Sequence, residues 1–102
     1  MKELTQPEIA AHMDDEVFFL YLFAPMCGTC QLAKKMLLVV EEMQKDTNLY
    51  SSNLNYLPNE AKQWEIESVP CLLIFHSGAI VKKIYAFHSI QHLSEIISQQ
   101  TA

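Results

Sequence analysis

The chain has 102 residues, half of them apolar and 19% charged. Twelve acidic against seven basic side chains leave a net charge of −5 at pH 7, which speaks against nucleic acid and anionic membrane surfaces as partners, since both need a basic face. Such a length and composition fit one soluble domain, residues 1–102, able to bury a core without covalent staples.

Taken in order, the first residues show no apolar run behind a basic start, so no secretory signal is expected. Thr5-Gln6-Pro7-Glu8 reads as a helix start. Thr5 can cap, Glu8 can reach back three residues, and proline is tolerated in a first turn. A short helix to about Met13 is predicted, broken by Asp14 and Asp15. Val17 to Ala24 is continuous, apolar and aromatic-rich, the pattern of a strand buried on both faces. It is also the longest apolar run, far below the ~20 residues of a membrane helix. Pro25 ends it, and Met26-Cys27-Gly28-Thr29-Cys30 follows. Leu32, Met36, Val39, Val40 and Met43 then recur at helical spacing, with Lys34, Lys35, Glu41 and Glu42 between them, which predicts an amphipathic helix.

Leu49 to Leu54 reads as a strand and Asn59 to Trp64 as a short helix. Val69-Pro70 opens the apolar run Cys71 to Phe75. Ser77-Gly78 is a two-residue hairpin connection, with Ala79 to Tyr85 as the partner strand. Ile90, Leu93, Ile96 and Ile97 have helical period and close the chain. Strands alternating with helices predict parallel pairing, and the late hairpin adds an antiparallel edge. The expected fold class is α/β, a mixed central sheet flanked by helices on both faces.

Three cysteines, Cys27, Cys30 and Cys71, are too few for a disulfide-stapled secreted domain and suggest chemistry instead. A reducing compartment, and so a cytoplasmic location, is expected. Cys27 and Cys30 stand three residues apart where a strand meets a helix. Positions i and i+3 share a helical face, so their Cα atoms can approach the ~5.5 Å of a disulfide. Cys27 lies at the helix N-terminus, where free N–H groups and the helix dipole favour a thiolate, the attacking form. It is the expected nucleophile, and Cys30, one turn inward, the resolving thiol. Gly28 leaves Cys27 open to a bulky disulfide. Two readings of Thr29 stand: a hydroxyl that donates toward a sulfur, or a helix cap.

A Cys-x-x-Cys pair also occurs in zinc knuckles, which want a second pair of ligands. Only Cys71 remains as a third thiol, and His12, His76, His88 and His92 are scattered without ligand-like spacing. No bound metal is expected, and the redox reading is favoured.

The segment Phe23-Ala24-Pro25-Met26-Cys27-Gly28-Thr29-Cys30 resembles the active-site turn of the thioredoxin family. Ser68-Val69-Pro70 and the run Cys71 to Phe75 resemble that family's cis-proline loop and next strand, and Ser77-Gly78 its hairpin glycine. The resemblance covers nearly the whole chain and implies a thioredoxin fold. It implies a cis Pro70 beside the cysteines and a Val69 backbone that hydrogen-bonds an extended substrate. Trp64 would then stand near the substrate groove, or else be a packing residue, and Met26 an adaptable contact for partners. Disulfide-bearing protein substrates are implied, with electrons from a thioredoxin-reductase-like donor or low-molecular-weight thiols. No bound organic cofactor is implied beyond the redox-active Cys27–Cys30 disulfide, and the protein is expected to be a monomer.

Several positions depart from the family pattern. Met26 stands for a tryptophan, Thr29 for a proline, Tyr21 for a buried aspartate, a position near Ser51 for its lysine partner, and Ala86 for a groove glycine. Loss of the buried carboxylate removes one base for Cys30, so resolution is expected to be slower near neutral pH. Loss of the spacer proline is expected to make the pair more oxidising than the thioredoxin value of ~−270 mV. Cys71, directly after Pro70, has four readings: a partner in an alternative disulfide, a glutathionylation site, a third metal thiolate, or a small core residue. Two rivals to the oxidoreductase reading stand beside it. One is a non-catalytic thioredoxin-like module that binds an extended peptide. The other is a metal or iron–sulfur protein ligated by Cys27, Cys30 and Cys71.

Overall fold

The computed structural model describes residues 1–101. Five strands form one sheet, β1 (Lys2–Glu3), β2 (Val17–Phe23), β3 (Leu49–Asn53), β4 (Cys71–His76) and β5 (Ala79–Ile84), in the order β1-β3-β2-β4-β5. Four helices surround it: α1 (Gln6–Ala11), α2 (Gly28–Met43), α3 (Pro58–Gln63) and α4 (Ile90–Thr101). The architecture is the expected one, a mixed sheet with helices on both faces.

The run from Val17 becomes the central strand, and its residues alternate between two cores as strand geometry requires. Phe19 and Tyr21 pack with Ala33, Leu37 and Val40 of α2 and with Leu93 and Ile97 of α4. Phe18, Leu20 and Leu22 pack on the other side with Ile9 of α1, Leu57 ahead of α3, and Cys71, Leu73 and Phe75 of β4. Both faces are covered, so neither set of side chains can be polar, and the sequence shows one uninterrupted apolar block.

Two expectations are corrected. Strand β1, which lies parallel to β3, is absent from the pattern-based reading, because two exposed charged residues carry no strand signal. The antiparallel part is also more than an edge, since β4 runs antiparallel to the central β2, while β3 is its parallel neighbour. Helix α3 has six residues, a rise of about 9 Å, too short to carry the chain back along the sheet for a parallel return. The hairpin from β4 to β5 turns at Ser77 and Gly78, both with positive φ (49° and 83°), as two-residue hairpin turns demand. A Cβ on Gly78 would stand 2.9 Å from the Met13 carbonyl oxygen, so the position needs glycine for space as well as for conformation.

At the start of α1 the Glu8 carboxylate accepts hydrogen bonds from the Thr5 backbone N–H and hydroxyl, each at 2.9 Å. Those bonds, with Lys2 nearby, lower its pKa from 4.5 to about 2. A depressed carboxylate stabilises the fold above its unfolded pKa, and the contribution fades as pH falls through the folded one. Glu8→Gln is therefore expected to melt below the unmodified protein at pH 7, and the gap to close between about pH 4.5 and pH 2. Parallel thermal melts across that range check this; a gap that stays constant would contradict it.

Candidate active site

The strand-to-helix junction after β2 places the cysteine pair. Cys27 caps α2 with extended backbone (φ −107°, ψ 106°), and its sulfur accepts the Cys30 backbone N–H at 3.2 Å. A thiolate formed there would meet an N–H that the helix leaves unpaired, together with the positive end of its dipole. Cys27 and Cys30 form a disulfide with Cα atoms 5.2 Å apart. The two sulfurs differ in access: Cys27 is half-buried, whereas Cys30 is only 3% exposed. An incoming disulfide reaches Cys27 first.

The Thr29 hydroxyl lies 3.5 Å from the Cys27 sulfur, and the cap itself is Cys27. A side chain at Gly28 would meet nothing within 4 Å, so this side of Cys27 is open. Met26, with φ 60°, projects into solvent at 98% exposure. The Val69–Pro70 peptide bond is cis. Pro70, Thr29, Leu32, Ala33, Met36, Tyr85, Phe87 and His88 line a groove of about 390 Å³ beside the pair. Two cavities of about 420 Å³ elsewhere on the molecule are lined neither by Pro70 nor by the first turn of α2.

Trp64 does not line the groove. Its indole packs edge-to-face on Phe75, with ring centroids 5.5 Å apart, in the core on the α1 and α3 side. Val69 also packs against that core. Leu32, Met36, Phe87 and His88 are groove residues that sequence patterns alone do not single out. Leu32 belongs to the helical repeat, and its 62% exposure marks it as the residue the core leaves over. His88 is exposed, borders the groove and meets His92 edge-to-face, with centroids 4.9 Å apart.

Tyr21, in the position of the family's aspartate, is completely buried. Its hydroxyl donates to the Cys30 carbonyl at 2.5 Å, and burial pushes its pKa up to about 12. Ser51 stands directly across from it on β3. Tyr21 thus fastens the first turn of α2 to the sheet and stays neutral, so it offers no base to Cys30.

Cys71 is fully buried in the core on the side of the sheet away from α2. Burial raises its pKa to about 11, against the lowering effect of the Tyr85 hydroxyl and Lys83. Among the described residues, no three His, Cys, Asp or Glu side chains gather at metal-binding distance. The small-core-residue reading of Cys71 fits this placement. Iodoacetamide at pH 7 is expected to label Cys27 in the native reduced protein and Cys71 only in denaturant. Intact-mass analysis with and without urea checks this; rapid native labelling at Cys71 would contradict it.

Comparisons with known proteins agree with this geometry. The thioredoxin family model matches residues 2–99. The chain is 52% identical over 102 residues to the thioredoxin-like protein YusE of Bacillus subtilis, covering 100% of this chain and 95% of that one. It is 24% identical over 101 residues to thioredoxin of Staphylococcus aureus, covering 95% and 94% of the two chains. Oxidised mitochondrial thioredoxin 3 of Saccharomyces cerevisiae has the same fold, with a TM-score of 0.82 at 19% identity over 97% of this chain and 94% of that one. Thioredoxin of Malassezia sympodialis gives a TM-score of 0.86 at 15% identity over 100% and 91%. The chain belongs to the thioredoxin family of thiol–disulfide oxidoreductases.

Proposed function

We propose that this protein exchanges its dithiol for the disulfides of protein substrates, with Cys27 as nucleophile and Cys30 as resolver. The carrying observation is one disulfide that joins an open sulfur at a helix N-terminus to a buried one, beside a groove bordered by cis Pro70.

In the reduced protein the Cys27 thiolate attacks one sulfur of the substrate disulfide. A bond forms from Cys27 to that sulfur, and the other substrate sulfur leaves as a thiolate and takes up a proton. The Cys30 thiolate then attacks the Cys27 sulfur of the mixed disulfide. The second substrate thiol is released and the Cys27–Cys30 disulfide is restored. Substrate is reduced by two electrons and the pair is oxidised by two. The groove holds the substrate segment flanking the disulfide, with Leu32, Met36 and Phe87 as its apolar wall. Electrons return from a thioredoxin-reductase-like protein or from low-molecular-weight thiols. No bound cofactor takes part, and the protein acts as a monomer; its low cysteine count supports a reducing compartment, the cytoplasm.

A glutathione redox titration tests this, with thiols trapped by alkylation and read by mass spectrometry. The expected result is that Cys27 and Cys30 gain and lose two alkyl groups together while Cys71 stays constant. The midpoint, set beside that of Thr29→Pro, also decides whether Thr29 in the spacer makes the pair more oxidising. A pair that never links would sink the exchange mechanism.

A further inference from the structure

Resolution requires a thiolate at Cys30, whose side chain is 3% exposed. Beside it lies a cavity of about 180 Å³, walled by Phe23 and Pro25 and reached by Tyr21, Gln31 and Lys34. Besides Cys30, only two of the side chains that line it are ionisable, Tyr21 and Lys34. Tyr21 is neutral, its proton donated to the Cys30 carbonyl. Lys34 follows Cys30 by four residues on α2, which puts the two side chains on one face of the helix a single turn apart. Lys34 is exposed to solvent and at the same time lines a cavity with apolar walls.

From this arrangement we infer that Lys34 is a positioning residue for resolution: its ammonium holds negative charge at the Cys30 sulfur when the thiol ionises. This rests on the exchange reading above and names the group that acts where a buried carboxylate is missing. The division of labour is electrostatic. Lys34 accepts no proton; the Cys30 proton leaves through solvent, and an equivalent proton ends on the released substrate thiol. One sulfur–sulfur bond forms between Cys30 and Cys27, and the bond from Cys27 to substrate breaks. A cation near a thiol in a poorly polarisable pocket lowers the pKa of that thiol. Because the ammonium itself borders solvent, dissolved ions will weaken the effect.

The test is stopped-flow release from a fluorogenic peptide disulfide, using the full reduced chain and the variants Lys34→Arg, Lys34→Gln and Lys34→Glu. At pH 7 and low salt, Lys34→Gln is expected to slow release about fivefold, and Lys34→Glu further. Lys34→Arg is expected to keep the rate. The pH profile of release should move to higher pH in the same order. In 0.5 M salt, with a Debye length of about 4 Å, the series should contract to within about twofold. First attack, followed in a Cys30→Ser background, should vary by less than about twofold across the series. Equal release rates in all four proteins would overturn the inference. So would a loss in Lys34→Arg as large as in Lys34→Gln, or a series that salt leaves unchanged, since each points to packing instead of charge. Absence of any release phase in the unmodified protein is a different result, and overturns the exchange reading itself.

Discussion

Replacing Cys27 with serine is expected to lower disulfide exchange by at least about a thousandfold, because a serine hydroxyl is not ionised near neutral pH and a thiolate is the attacking form. Replacing Cys30 with serine has a different signature. Cys27 keeps its open approach and its 3.2 Å contact with the backbone N–H of residue 30, so first attack survives and the mixed disulfide accumulates. Intact-mass spectra after mixing each variant with a disulfide peptide separate the two: no adduct for Cys27→Ser, a stable adduct for Cys30→Ser. Absence of exchange in the unmodified protein, with peptide binding undiminished in Cys27→Ser, would transfer the protein to the class of peptide-binding modules. The pairing of variants matters because a binding module predicts no difference between them.

Substitution of Tyr21 is expected to give the largest loss of stability. Its ring is wholly buried and packs near Phe23 and Phe87, with centroids 6.1 and 6.0 Å away. Tyr21→Ala removes that volume from the core beneath α2 and should cost about 3–5 kcal/mol. Tyr21→Phe keeps the packing and removes one of the hydrogen bonds to the Cys30 carbonyl, which as part of α2 still accepts within the helix, for a cost of about 0.5–1.5 kcal/mol. Urea midpoints of the oxidised proteins measure both. Because the lost hydrogen bond fastens the backbone of Cys30, Tyr21→Phe should also alter the release rate while leaving first attack at Cys27 unchanged. Equal stability in Tyr21→Phe and the unmodified protein would remove the anchoring role.

Much of the fold and of the cysteine site is legible in the amino-acid sequence. The apolar run ending at Pro25, the cysteine spacing and the Ser77-Gly78 turn are local signals, each fixed by chemistry within a few residues. The place of Cys27 at the helix N-terminus follows from the same locality. What stays hidden depends on tertiary packing. Cys71 opens a strand buried on both sides, where every residue from Cys71 to Phe75 is apolar and parity alone assigns it to the core away from α2. Its neighbour Leu72 faces the other core. Trp64 next to a six-residue helix could be turned either way, and Phe75 decides its place. The direction of β4 depends on how far α3 carries the chain. Lys34 looks like any solvated residue of an amphipathic helix, and only the cavity beside Cys30 distinguishes it.

The sheet order also has a colloidal consequence. A β-sheet with open margins is a template for growth by strand addition, chain upon chain. Here one margin is β1, two exposed residues, Lys2 and Glu3. The other is β5, which carries Lys82 and Lys83 side by side and meets β4 through an irregular register at Ile74 and Phe75. A short charged border on one side and a doubly cationic, kinked border on the other resist fibrous assembly. The apolar strands β2 and β4 lie inside, where no second chain can reach their backbone.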